Sequence, residues 1–236
     1  MCTISLVVYP EENPGFVLTS NRDEAPGRKT LSPNFYTVNN SRLLFPKDAV
    51  AGGTWIGLSE NKRVVCLMNG GFESHIREGN YRVSRGVVVK DILAAEDPLV
   101  EINSYNFEGI EPFTLILGDW KQELYFYELV WDGNKPHLKK LALENHIWSS
   151  SPLYTSEMKK LRETWFEEFQ QKQNLTPESL WEFHHTAGVG NKNSYLIMDR
   201  GFIKTKSITQ IIKTSEKTIM IYEDLQKKEI SEKDFK

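Results

Sequence analysis

Met1-Cys2-Thr3-Ile4-Ser5-Leu6-Val7-Val8-Tyr9 opens the chain, and Phe16-Val17-Leu18-Thr19-Ser20 runs straight into Asn21-Arg22-Asp23-Glu24. The Thr, Ile and Val of Thr3–Val8 read as a strand, and Phe16–Ser20 reads as its hairpin partner. The intervening Pro10-Glu11-Glu12-Asn13-Pro14-Gly15 suits a loop, because its prolines cannot donate to a ladder. The charged tetrapeptide follows the second strand directly, where a loop can turn polar groups toward a cleft.

Outward from this hairpin the chain alternates short strands with a few helices. Ala25–Asp48 is polar and proline-rich and reads as a crossing segment. Thr54–Leu58 and Arg63–Leu67 predict a second hairpin, and Ser84 predicts the cap of a helix running to Ala95. Phe113–Trp120, Glu123–Trp131 and Lys139–Leu143 predict strands joined by turns. From Glu157 to Gln173, Met158, Leu161, Trp165, Phe166 and Phe169 fall at helical spacing. Leu161, Trp165 and Phe169 are expected inside, with Lys159, Lys160, Arg162, Glu163, Glu167 and Glu168 mainly on the opposite side. Thr176-Pro177-Glu178 opens a helix to about His185, with Leu180 inward. Ser194–Asp199, Phe202–Thr205 and Thr218–Tyr222 close the pattern as strands. The whole predicts one α+β domain over residues 1–225, antiparallel sheets with helices outside them. The charged residues 226–236 are expected to fray.

Composition removes several functions. A hydrophobic content of 39% is enough for a sizeable core, so a disordered chain is excluded. With 29 basic and 32 acidic residues, a net charge of −3 offers no attraction to a phosphate backbone, so no nucleic-acid partner is expected. Two cysteines without a CxxC exclude a disulfide scaffold and a thiolate zinc site. No apolar run approaches the roughly 18 residues of a spanning helix, and Met1–Tyr9 lacks the basic leader of a signal peptide. A cytoplasmic protein is expected.

Cys2 carries the most chemical information. Aminopeptidases remove Met1 before a small second residue, leaving a thiol beside an α-amine that titrates near roughly 7.7–8. Such an amine accepts the thiol proton at neutral pH, so one residue supplies both nucleophile and base. The alternative is a buried strand cysteine, which is also the reading for Cys66 within Val64-Val65-Cys66-Leu67-Met68. Arg22 offers a planar fork for a carboxylate, and Asp23 can orient an ammonium or a thiol; the alternative is a salt-bridged surface turn. Asn69 can donate to a tetrahedral oxygen or serve the turn Asn69-Gly70-Gly71. His184-His185, adjacent on a helix, diverge too far to share a metal, and Glu73, His75 and Glu78 show no ligand spacing, so no metal site is expected. Trp165, Phe166, Phe169, Trp181 and Phe183 read as helix-on-sheet core. The acceptor patterns Asn39-Asn40-Ser41 and Asn174-Leu175-Thr176 are discounted for want of a secretory leader.

Taken in order, Met1-Cys2-Thr3, Asn21-Arg22-Asp23-Glu24, Gly52-Gly53-Thr54-Trp55-Ile56-Gly57-Leu58 and Asn69 resemble the NRDE-motif family, also called the transport and Golgi organisation protein 2 family. Ser84-Arg85-Gly86 and Gly188-Val189-Gly190-Asn191-Lys192 are similar to its later segments. The resemblance implies an N-terminal nucleophile hydrolase fold, a four-layer αββα sandwich related to choloylglycine and penicillin V acylases. By that likeness Cys2, Arg22, Asp23 and Asn69 take the catalytic roles, and Asn21, Arg22, Glu24, Trp55 and Lys192 line the ligand. Three departures stand out. Ser150-Ser151-Pro152 replaces an Asn-Asn-Pro segment, Lys192 replaces an arginine, and a late arginine of the acylases has no match.

Two functions follow from the resemblance. One is a binder of a small amphipathic anionic ligand, haem or an acyl-lipid or acyl-CoA, acting in haem trafficking or lipid homeostasis without a required cofactor. The other is a cysteine amidohydrolase of acyl amides with Cys2 as nucleophile. A surface-acting assembly factor is a third class, which nothing in the sequence favours.

Overall fold

The structure, a computed structural model, describes residues 2–9, 15–191 and 194–236, with Cys2 described by its backbone. Two strands open the chain, β1 (Cys2–Tyr9) and β2 (Gly15–Glu24). They are followed by β3 (Thr30–Val38), β4 (Ser41–Asp48), β5 (Ile56–Ser59) and β6 (Arg63–Asn69). Helices α1 (Arg85–Ala94) and α2 (Pro98–Ser104) come next, then β7 (Phe113–Asp119), β8 (Tyr125–Trp131), β9 (Pro136–Lys140) and β10 (His146–Ser149). Helices α3 (Ser156–Lys172) and α4 (Pro177–Thr186) precede the closing strands β11 (Lys204–Lys213), β12 (Thr218–Asp224) and β13 (Glu229–Asp234).

The helix starts follow local chemistry. Ser84 accepts from the Gly86 amide, Asp97 from the Leu99 and Val100 amides, and Thr155 from the Met158 amide. Thr176 and Ser179 cap each other reciprocally, and Pro177 sits where its missing N–H costs nothing.

The chain divides into two compact units, one formed by Met1–Gly27 with Glu144–Lys236 and the other by Arg28–Leu143. The first carries an antiparallel sheet of order β10-β1-β2-β11-β12-β13. Alternate residues of its central strands, Val7 and Val17 among them, pack with Phe166 of α3 and with Leu180 and Phe183 of α4. The second carries the antiparallel sheet β3-β4-β5-β6-β7-β8-β9, whose Leu43, Val65, Leu67, Phe113, Leu115 and Leu117 pack against Val88, Val89, Ile92 and Leu93 of α1. The α+β class with antiparallel sheets and few helices agrees with the sequence reading.

Several boundaries depart from it. The expected crossing at 25–48 is a hairpin, β3 with β4, turning on Asn39 and Asn40 at φ 47° and 66°. Two successive positive φ values make a type I′ turn, which asparagine tolerates. Ser194–Asp199 and Phe202–Thr205 form no strand pair beyond an isolated Asp199–Lys204 bridge; the long strand is β11, which pairs with β2 from Lys204 on. Residues 226–236, expected to fray, include β13, paired with β12 from Ile219–Asp234 to Asp224–Glu229. Its charged residues suit an edge strand, where they discourage pairing with another chain.

The face of α3 is also rotated from expectation. Arg162 and Phe166 are its buried residues, at 1% and 2% exposure, whereas Leu161, Trp165 and Phe169 are half-buried. Arg162 lies inside because its guanidinium finds acceptors there.

Candidate functional site

β1 places Cys2 directly opposite Arg22 in the ladder with β2, and Thr3 opposite Asn21. β10 flanks the same end, with Thr3 paired to Ser149. Cys2 therefore begins an interior strand of the first unit. A strand alternates its side chains between faces, so the tetrapeptide divides in two. Asn21 and Asp23 point toward α4 and the turn before α3, and Arg22 and Glu24 point to the opposite face. Arg22 and Asp23, expected in one cleft, thus approach the start of β1 from different sides.

On the helix side Asn21 and Asp23 are held by hydrogen bonds. Asn21 is fully buried, and its Nδ2 donates to the His184 and Leu196 carbonyls at 3.1 and 3.0 Å. Its Oδ1 is then an acceptor, so His184 Nδ1, 2.6 Å away, must carry the proton. His184 Nε2 in turn accepts from Ser5 Oγ at 2.7 Å. Burial, with the charges of His185 and Arg162, lowers the His184 imidazole to about 3, which keeps it neutral and removes it as a base near pH 7. Asn21 was expected among the ligand residues; its side chain is instead engaged in fastening α4 to the sheet.

Asp23 is 1% exposed. Its Oδ2 accepts from Tyr154 Oη and its Oδ1 from Thr205 Oγ1, both at 2.7 Å. Burial pushes its carboxyl above the ordinary 3.8, opposed by the charge of the chain's N-terminal amine, then by those hydrogen bonds and by the charge of Arg162. Burial and the Asp23 carboxylate together hold Tyr154 well above the usual phenol range, so its hydroxyl stays a donor. On the other face Arg22, 4% exposed, has Nη2 3.5 Å from Glu24 Oε2, and Glu24 Oε1 accepts from the Ala25 amide. Lys206 lies nearby at the β11 bulge and donates to the Pro26 carbonyl; burial and then the Arg22 charge lower its pKa.

The remaining expected residues belong to the second unit, fall outside the described residues or have other partners. Trp55 and Asn69 belong to the second unit. Trp55 is buried, and Asn69 ends β6 half-buried with its side-chain amide unbonded among the described residues. Lys192 and the Cys2 side chain lie outside the described residues. Ser151 accepts from Lys159 Nζ at 2.9 Å. Two further motifs serve packing. A Cβ on Gly53 would meet the Gly86 backbone at 2.7 Å, and one on Gly86 would meet Thr54 at 2.8 Å, so Gly-Gly-Thr-Trp and Ser-Arg-Gly dock backbone to backbone.

Tyr154, Thr205, Arg162 and His184 were missed as site residues. Only Arg162 left a usable trace, since it continues the Met158–Phe166 row of one helix face at i, i+4 spacing. Among the described residues no cluster of three metal-ligating side chains occurs, and no helix is long and apolar enough to cross a membrane.

The family model described as Transport and Golgi organisation 2 matches residues 1–236. No curated protein sequence matches the chain. Among solved structures, the Caenorhabditis elegans ortholog of N-acylethanolamine-hydrolyzing acid amidase is similar at 14% identity and TM-score 0.58, covering 89% of this chain and 92% of that one. The C2A mutant of conjugated bile acid hydrolase from Clostridium perfringens is similar at 13% identity and TM-score 0.55, covering 100% and 92%. Penicillin V acylase from Agrobacterium tumefaciens is similar at 10% identity and TM-score 0.53, covering 98% and 86%. At these identities the likeness shows the fold alone: an N-terminal nucleophile hydrolase-like α+β fold.

Proposed function

The chain belongs to the transport and Golgi organisation 2 family, and from that premise we propose that it is a cysteine amidohydrolase of acyl amides, with Cys2 as nucleophile after Met1 is removed. The observation that carries this reading is the register: Cys2 begins an interior strand opposite the buried Arg22. Beyond that pair β2 continues to Asp23, whose carboxylate is fixed on both oxygens. The freed α-amine would take the Cys2 thiol proton while the sulfur attacks the amide carbon. Collapse breaks the C–N bond, the departing amine takes that proton, and water then releases the acid from the thioester. Arg22 would hold an anionic group of the substrate, and Asp23 would orient the ammonium. His184 takes no part, because both its nitrogens are engaged and it stays neutral. The names of the similar structures, an amidase, a hydrolase and an acylase, support amide chemistry.

A second reading, binding an amphipathic anionic ligand without turnover, is favoured by one observation. Ser151, in the segment where the acylases carry Asn-Asn-Pro, is bonded to Lys159 and is a shorter donor than asparagine. Within this reading an acyl-lipid or acyl-CoA fits better than haem, since His184 and His185 have both ring nitrogens engaged and neither is a ready axial ligand. The test is turnover of an acyl-amide panel by protein shown by intact mass to lack Met1. Hydrolysis lost in Cys2→Ala supports the amidohydrolase. No hydrolysis, with acyl-CoA raising the melting temperature as its excess grows, supports the binder.

A further inference from the structure

Helix α3 brings a permanent charge into the helix side of the first unit, and the proposed reaction does not use it. Arg162 is 1% exposed. Its Nε and Nη2 donate to the Ser194 and Tyr195 carbonyls at 2.9 and 3.0 Å, and its Nη1 donates to Thr3 Oγ1. Its guanidinium carbon lies 3.7 Å from the centroid of the Tyr154 ring, and it forms no ion pair among the described residues. A buried guanidinium without a carboxylate partner is costly to keep, and a serviceable packing residue there would be apolar. What it touches is informative: Thr3 is the residue after Cys2, and Tyr154 donates to Asp23 at 2.7 Å.

We infer that Arg162 is the positioning residue of the Cys2 site, pinning Thr3 at the start of β1 and steering Asp23 through the Tyr154 ring stacked on its guanidinium. What Cys2 does rests on the amidohydrolase reading; how Asp23 is held does not. Charge acts over distance where water is excluded, so Arg162 also favours the ionised form of Asp23, working against burial. Other groups also face Asp23, first among them the charge of the chain's N-terminal amine, which favours its ionised form. Thr205 donates to Asp23, the Met198 sulfur lies 3.1 Å from the Tyr154 hydroxyl oxygen, and Arg200 lies 5.8 Å over the Tyr154 ring. His184 on α4 is neutral, Lys204 and Lys206 flank Thr205 on β11, and Arg22 and Glu24 flank Asp23 on β2.

The test is the protonation midpoint of Asp23, read by NMR from carboxyl-labelled aspartate and assigned with Asp23→Asn. Arg162→Gln should raise that midpoint, because an opposite charge is lost, though less than loss of the Tyr154 hydrogen bond does. Arg162→Lys, which keeps the charge, should stay near the parent. Tyr154→Phe should raise the midpoint too, since it deletes a hydrogen bond to the charged form. In Met1-free protein the acid limb of kcat/KM should move in the same order. An unchanged midpoint in folded Arg162→Gln, or in Tyr154→Phe should the former not fold, overturns the inference. So does a Lys variant that shifts as far as Gln, or a moved midpoint that leaves the acid limb in place. If the parent shows no turnover while the midpoints move as expected, the amidohydrolase reading fails and the control of Asp23 by Arg162 stands.

Discussion

The two units build their helix-facing cores from opposite materials. In the second, Leu43, Phe45, Val65, Leu67, Phe113, Leu115 and Leu117 meet an apolar face of α1. In the first, the β1 and β2 residues toward the helices run from Val7 and Val17 through Ser5 and Thr19 to Thr3, Asn21 and Asp23, changing from apolar to polar along the sheet. An apolar core gains stability from burial and tolerates many shapes. A buried polar core gains little net stability, yet each hydrogen bond fixes a direction. The polar half lies at the end where β1 begins, so the fold is most directionally specified beside Cys2.

That contrast yields graded expectations. Phe113→Ala in the apolar core should cost about 3–5 kcal/mol, by denaturant unfolding, with little dependence on pH. Asn21→Ala should cost about 2–4 kcal/mol, because it strands two carbonyls and the His184 N–H in a dry site. A loss below about 1 kcal/mol would mean that water enters and the polar core is not closed.

The pH dependence should separate the two cores as well. His184 titrates near 6.5 when unfolded and about 3 when folded, so between those values the unfolded chain binds the extra proton. Its contribution is therefore complete above pH 6.5 and is lost as pH falls toward 3, at about 1.4 kcal/mol per pH unit. Asp23 runs the other way, since a carboxyl raised by burial favours the fold below its ordinary 3.8 and loses that contribution as pH rises through its folded value. A His184→Gln variant should flatten the slope between pH 4 and 6 measured by urea unfolding; an unaltered slope would place the titration elsewhere. The smallest effect is expected from Glu24→Gln. Its carboxylate is partly exposed and meets Arg22 at 3.5 Å, so stability should change by less than about 1 kcal/mol.

The apolar half was largely legible in the sequence, and the polar half was not. Ser84, Thr176 and Pro177 announced their helices because caps act within a turn. Arg162 was set on the outer side because a periodicity of apolar residues cannot register a charge whose partners, Thr3, Ser194 and Tyr195, are distant in sequence. The β3–β4 hairpin was hidden by its exposed residues, although Asn39-Asn40 states the turn chemistry. The family motif grouped Cys2, Arg22 and Asp23 in one site, but alternation along β2, a matter of single-residue register, sends Asn21 and Asp23 to the face opposite that of Arg22.

The proposed chemistry has Cys2, freed of Met1, attack an acyl amide. The most direct measurement is the intact mass of Met1-free protein quenched during reaction with an acyl-amide panel, followed in parallel for burst release of the amine. A mass increase of one acyl group on Cys2 and a burst matching the enzyme concentration are expected, both absent in Cys2→Ala and in protein retaining Met1. Equal turnover by Cys2→Ala, or no adduct and no burst from Met1-free protein across the panel, would contradict that chemistry.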